Sequence, residues 1–180
     1  LNLEGNDYLF AFVRDITERK RVEEVARASR QQLADIIDFL PDATFVIDRD
    51  RRVIAWNKAI ERMTGVSKAE ILGQGDYAYA VPFYGSKRPI LIDMIGRGDA
   101  EVASQYQSLR RDGETLFAET FVPSICGGRG AYVWAKASPL YDQRGNLAGA
   151  IEAVRDVTEQ KKAEEALRES EELFRTLVDS

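Results

Sequence analysis

One stretch of this chain occurs twice, and that repeat constrains the fold more than any other feature. Arg14-Asp15-Ile16-Thr17-Glu18 returns 141 residues later as Arg155-Asp156-Val157-Thr158-Glu159. In the same ungapped register Lys20 meets Lys161, Glu23 and Glu24 meet Glu164 and Glu165, and Arg27 meets Arg168. Ser29 then meets Ser170, Leu33 meets Phe174, Ile36 meets Leu177 and Asp38 meets Asp179. Such a period is far too long for a solenoid, whose repeats run to roughly 20–50 residues. The repeating unit is a domain plus a linker. The chain begins at Leu1 without a Met or an apolar signal segment and reads as a piece of something longer. The expected division is the tail of a preceding module over 1–16, a linker helix over 17–40 and a complete domain over 41–157. A second linker helix follows over 158–172, and a further module starts at 173–180.

Both linkers carry the spacing of a helix that pairs with another helix. Val22, Ala26, Ser29, Leu33, Ile36 and Leu40 are spaced 4, 3, 4, 3, 4, and Ala163, Leu167, Ser170, Phe174 and Leu177 repeat that pattern. Asp15 or Thr17, and Asp156 or Thr158, offer the short polar side chain that caps the first free amides. Pro41 ends the first helix by disfavouring helical geometry at Leu40. Each stripe either pairs with a partner helix, giving a homodimer, or lies on its own domain.

Between the linkers the punctuation is that of an α+β domain. Ala43 to Ile47 and Val53 to Trp56 flank a charged turn and predict a hairpin. Asn57 to Met63 and Ser67 to Leu72 predict short helices, and Ser86 to Ile95 a third. A polar loop is expected to about Gln105. Tyr106 to Leu109 leads to Asp112-Gly113, a hairpin signal. Leu116 to Ile125, Ala131 to Leu140 and Leu147 to Val157 then read as three long antiparallel strands, the last running straight into the second linker helix. This is an α+β order with helices on one face of a sheet. Alternation puts Tyr132 with Trp134, Phe117 with Phe121, and Leu147, Gly149, Ile151 and Ala153 on shared faces.

Composition removes whole classes of chemistry. The sequence holds no His and one cysteine, Cys126, so His-dependent catalysis, a His haem ligand, an intrachain disulfide and a Cys zinc cluster are excluded. Cys126 stands beside a turn and reads as structural. Carboxylates fall in turns and on helix surfaces with no converging acid/base pair, and no Gly-rich phosphate loop is present, so no catalytic residue is expected. With 25 basic against 30 acidic residues the chain lacks the concentrated positive face of a nucleic-acid binder. Its longest uncharged run, Tyr77 to Ser86, is ten residues, against the ~18–20 that cross a bilayer. No membrane contact by this stretch is expected, and a cytoplasmic location is.

Val53-Ile54-Ala55-Trp56-Asn57-Lys58-Ala59 near the start and Gly149-Ala150-Ile151 leading to Asp156-Val157-Thr158 at the exit resemble PAS sensory domains. The Asp156-Val157-Thr158 triplet is similar to that family's Asp-Ile-Thr exit signature, and Asp15-Ile16-Thr17 repeats it. Pro82-Phe83-Tyr84-Gly85 and Arg88-Pro89-Ile90-Leu91 resemble PAS modules of prokaryotic sensor kinases. The resemblance covers about Leu33 to Thr158. It implies a five-stranded antiparallel sheet with small helices capping one face around a ligand-sized space. It also implies adjacent modules and a downstream output domain in the same chain: PAS modules serve as sensors in histidine kinases, cyclic-dinucleotide enzymes or transcription regulators, and a histidine kinase of a two-component system is the output expected here. The cofactor stays unknown, since the reactive Cys of light-oxygen-voltage photoreceptors has no counterpart from Asn57 to Gly96.

A ligand in such a space would meet mainly apolar groups. The candidates are Ile47, Met63, Phe83, Tyr84, Ile90, Leu91, Met94, Phe117, Phe121 and Trp134, each of which can equally be core. Asn57 is expected to fix a strand-to-helix turn, and Asp156 with Thr158 to relay a signal. Two functions remain: a small-molecule sensor that moves its outgoing helix, or a ligand-free dimerisation and relay module.

Overall fold

The apolar run Ala43–Asp48 and the run Val53–Trp56 form strands β1 and β2 of an antiparallel hairpin. Their turn is closed by Asp48, whose Oδ1 accepts the N–H groups of Asp50 and Arg52, both at 2.9 Å. In the computed structural model, which describes residues 2–3, 6–7, 17–96 and 100–178, the chain divides into two units, 1–35 and 36–180. The first holds a small antiparallel pair, Asn2–Leu3 with Asn6–Asp7, and the start of helix α1 (Thr17–Phe39). Asp15 and Ile16 lie outside the described residues. Arg19 pairs with Glu23 one turn on, and Val22 and Leu33 are exposed.

The second unit is built on one sheet. After the hairpin come α2 (Lys58–Thr64), α3 (Lys68–Ile71), a 3-10 turn (Ala78–Ala80), α4 (Val81–Tyr84), a second 3-10 turn (Leu91–Met94) and α5 (Ala100–Ala103). Strands β3 (Ser108–Asp112), β4 (Thr115–Val122), β5 (Ala131–Tyr141) and β6 (Leu147–Asp156) follow, and α6 (Thr158–Val178) ends the described chain. All pairings are antiparallel and the strand order is β2-β1-β6-β5-β4-β3. First and last strands therefore lie side by side at the centre, with Ala43 opposite Val154 and Val46 opposite Ile151.

The sheet has six strands, the number of strand segments read from the residues, where the family resemblance implied five. Asp112-Gly113 turns the chain tightly, with Gly113 at φ 58°, and the residues before it pair along β4 as an extra edge. Arg110, Arg111 and Asp112 are exposed there, the charge that keeps an edge strand from recruiting another chain. The helix expected over Ser86 to Ile95 shrinks to Leu91–Met94. Pro89 has no N–H to donate and disfavours helix at Arg88, and the Asp93 carboxylate takes the Ile90 N–H at 2.9 Å instead. Part of the expected polar loop before Gln105 is the single turn α5.

Aromatic packing fixes the cap on the sheet. Phe45 of β1 has ring centroids 5.6 Å from both Trp56 and Tyr79 and 6.5 Å from Phe83, and the first three are fully buried. Asn57, also fully buried, ties strand to helix: its Oδ1 accepts from Thr44 N at 2.9 Å and Ile60 N at 3.0 Å. Its Nδ2 donates to the carbonyls of Asp42 and Ile37 at 2.9 and 3.2 Å. One side chain thus caps α2, holds β1 and secures the end of α1. Gly149 sits where β6 crosses close to β1, and a Cβ there would lie 2.1 Å from the Ile47 carbonyl oxygen. Only glycine fits this crossing.

Candidate functional site

Strand register decides which residues reach the space beneath the cap. Buried positions on β4 are Leu116, Ala118, Thr120 and Val122; on β5 they are Ala131, Val133, Ala135 and Ala137. On β6 the buried set at alternate positions is Ala150, Glu152 and Val154. This face is thus lined largely by small side chains, into which the bulky groups of the cap fit. Between them lies a cavity of about 10 Å³ lined by Phe83, Tyr84, Ile90, Tyr106, Thr120, Val122, Val133, Ala135, Glu152 and Val154. That is room for one water-sized group. Two open clefts lie at the turn end of the sheet. One, of about 360 Å³, includes Met94, Arg111, Glu114 and Tyr141, and the other, of about 130 Å³, includes Ile47, Arg49 and Arg51.

A polar cluster is buried within this apolar side. Asp93 accepts the Tyr79 hydroxyl at 2.6 Å and is paired with the Arg51 guanidinium. Arg51 reaches it from the β1–β2 turn, in the left-handed conformation at φ 61°. Burial nonetheless holds the Asp93 carboxyl above its ordinary range, outweighing the bonds from Tyr79, Ile90 N–H and Arg51 that pull it down. Glu152 goes further. Burial, aided by the nearby Asp93 charge and opposed by a hydrogen bond from the Ile92 N–H, pushes its pKa up to about 8. Its Oε2 has no hydrogen-bond partner. The Tyr84 and Tyr106 hydroxyls are hydrogen-bonded to one another, and burial raises both, Tyr84 to about 12.

The exit from the sheet is a hydrogen-bonded joint. Val157 is the single residue between β6 and α6. Asp156 Oδ1 accepts the Thr158 N–H at 2.9 Å, as a cap does. Thr158 Oγ1 acts differently: it accepts the Tyr132 N–H of neighbouring β5 at 2.9 Å, while Val157 N–H donates to the Tyr132 carbonyl at 2.8 Å. Lys161 on the first turn of α6 is paired with Glu119 of β4. One residue before the joint, the Arg155 guanidinium grips the Asp42 carboxylate through two bonds of 2.8 Å. The start of β1 and the end of β6 are therefore held together as α6 departs.

Comparison with known proteins places this architecture. The family described as PAS fold matches residues 37–162. The chain belongs to the PAS fold family. The oxygen sensor protein DosP of Escherichia coli is 25% identical over 163 residues, and the probable diguanylate cyclase DgcE of the same organism 24% over 164. Each alignment covers 90% of this chain, but only 18% of DosP and 14% of DgcE. The PAS domain of Bordetella pertussis BvgS has the same fold at 22% identity and a TM-score of 0.50, covering 82% of this chain and 98% of that one.

Within this PAS domain the sequence-predicted residues divide by face. Phe83, Tyr84 and Ile90 line the interior cavity, and Leu91 is fully buried. Ile47 and Met94 border the open clefts, and Met63 is half-buried against the core. Phe117, Phe121 and Trp134 sit at the alternate positions of β4 and β5, on the face away from the cavity. There Phe117 meets Trp134 at 5.9 Å and Phe121 meets Tyr132 at 5.2 Å. Residues that sequence reasoning did not single out are Glu152, Tyr106, Tyr79, Asp93 and Arg51. For Glu152 a signal existed: it falls in phase with Ala150 and Val154 on a strand, so a charge occupies an inward register. Nothing in the sequence marks Arg51 and Asp93, 42 residues apart, as a pair.

Proposed function

We propose that this PAS domain is a non-catalytic sensory relay in a tandem array, with a module before residue 17, another from residue 173 and a histidine kinase output further along the chain. A small ligand or cellular state acts on the capped side of the sheet, and the change passes along β6 into α6. The single supporting observation is the joint at Val157, where strand and helix share one backbone clamped by Asp156 and Thr158. Because β6 carries the buried Glu152 and also leads directly into α6, a shift in packing under the cap has a short mechanical path outward. An input acts only through different affinity for two arrangements of that path. The exposed stripe of Leu167, Phe174 and Leu177 on α6 supports pairing with the same helix of a second copy, which makes the working unit a homodimer. A cytoplasmic location is part of the same proposal; among the described residues no helix is long and apolar enough to cross a membrane.

The test is autophosphorylation of the full-length protein carrying Asp156→Ala with Thr158→Ala. Signal-dependent output is lost while the domain stays folded; full regulation in a folded double variant overturns the reading. A second reading, a ligand-free dimerisation and relay module, is favoured by the cavity's small size of about 10 Å³. Native against denatured mass discriminates between them: a retained small molecule supports sensing, and its repeated absence, with no thermal shift across metabolite panels, supports the relay alone.

A further inference from the structure

Among the described residues Asp38 Oδ1, Arg88 Nε and Glu152 Oε2 are buried without a hydrogen-bond partner, and of these three side chains only Glu152 lines the cavity. It is buried, with 4% of its surface exposed, it lines the cavity, and its Oε2 has no partner. Buried carboxyl oxygens are almost always satisfied, and one that is not calls for a water, an ion or a ligand group. The other walls narrow the choice. Phe83, Tyr84 and Tyr106 present three aromatic rings and Thr120 a hydroxyl. No Lys or Arg lines the cavity. Arg51 is committed to Asp93, and Arg88 lies over the Tyr84 ring at 4.0 Å while donating to Gln105. A carboxyl with aromatic walls and no cation of its own is complementary to a small positive nitrogen, which an aromatic face attracts and a neutral water does not match.

We propose that this cavity binds the ammonium head group of a small primary amine, or ammonium itself, with Glu152 Oε2 accepting one of its N–H bonds. The size agrees: about 10 Å³ admits one heavy atom with its hydrogens. An amine with a longer tail must displace Phe83 or Ile90, which close the cavity from the cap, and that displacement couples occupancy to packing against β6. The inference deepens, and rests on, the reading of the capped side as the input of the module.

Binding an ammonium requires Glu152 to be ionised. The titratable and charged groups around it are Asp93 on the second 3-10 turn, Tyr84 on α4 and Tyr106 before β3, with Arg88 beyond Tyr84. The tyrosines are held neutral by burial, and Asp93 is already paired with Arg51. Glu152, whose pKa lies at about 8, is therefore the group that governs the pH profile. Below that value each ammonium bound displaces one proton.

The experiment titrates the full 180-residue chain with ammonium chloride and methylammonium chloride, using sodium chloride and tetramethylammonium chloride at equal ionic strength as controls. Readouts are melting temperature and the NMR signals of the Thr120 and Val133 methyl groups. The expected result is saturable binding of ammonium and methylammonium only, with affinity rising about tenfold per pH unit from pH 6 to about 8 and then levelling. Glu152→Gln abolishes it. No saturable response beyond the sodium control means that water alone fills the cavity, and this overturns the proposal. So does equal binding by Glu152→Gln, or an affinity indifferent to pH in the unaltered chain, a measurement that needs no variant to fold. Failure here leaves the relay through Asp156 and Thr158 standing, whereas amine binding without any effect of those two residues on output would sink the relay and keep the site.

Discussion

The two faces of the central sheet are both rich in apolar side chains, yet they are built to different ends. Under the cap, small strand residues such as Ala118, Ala135 and Ala137 leave room for the bulk of Tyr79 and Phe83 from the cap beside Phe45 of β1, and all three rings are buried. On the opposite face the large groups come from the strands themselves. Phe121 and Tyr132 are exposed at 42% and 37%, and Phe117 lies under the Arg110 guanidinium at 4.4 Å. Cationic side chains drape the outer rings, as Arg155 does Trp134, where a packed core would have enclosed them. The inner face is a fitted core in which Asn57 and Asp93 are held by arranged partners and the Glu152 Oε2 is not. The outer face is a loosely covered platform from which α6 departs.

That contrast predicts a graded response to substitution. Phe45→Ala is the largest insult, removing the ring that touches Trp56, Tyr79 and Phe83, and costs about 3–5 kcal/mol in denaturant unfolding. A cost near that of an outer-face truncation would erase the distinction between the faces. Glu152 sharpens it through pH. Its folded pKa of about 8 stands above its ordinary 4.5, so the native state holds the proton more tightly than the unfolded chain. Stability is then full below pH 4.5 and declines as pH rises towards 8, by up to about 1.4 kcal/mol per unit. Glu152→Gln removes this group's share of the slope, and an identical slope in the variant would assign the titration elsewhere. Asn57→Ala leaves the N–H groups of Thr44 and Ile60 without their acceptor and costs about 2–3 kcal/mol by the same unfolding measurement. Asp156→Ala with Thr158→Ala costs about 1–2 kcal/mol while leaving the near-ultraviolet spectrum of the core unchanged. Phe121→Ala costs under about 1 kcal/mol.

The same contrast explains which parts of the molecule were legible in the sequence. Turns were, because their chemistry is local: Asp48 to Arg52, Asp112-Gly113 and Asp142 to Asn146 each close a strand pair as expected. Exit signature and helix stripes were legible too, since the repeat presents them twice. Facing was the difficulty. Alternation separates Phe117, Phe121 and Trp134 from Ala118, Val133 and Ala135, but nothing local says which set the helices will cover. Aromatic bulk drew attention to the first set, whereas the cap brings its own bulk and covers the second. The buried polar cluster was illegible for another reason. Arg51 reaches Asp93 from a left-handed turn position, a contact created by tertiary packing. Asp156 or Thr158 was expected to cap the outgoing helix: Asp156 takes that part, and Thr158 holds the neighbouring strand.

The central claim is that β6 and α6 move as one piece. Spin labels at Gln143→Cys, in the turn before β6, and Glu169→Cys on α6, in a Cys126→Ser background, measure this directly by pulsed dipolar spectroscopy. A single narrow distance distribution, broadened by Asp156→Ala with Thr158→Ala, is the predicted result. A broad distribution with Asp156 and Thr158 in place, or one that the double substitution leaves unchanged, would contradict it.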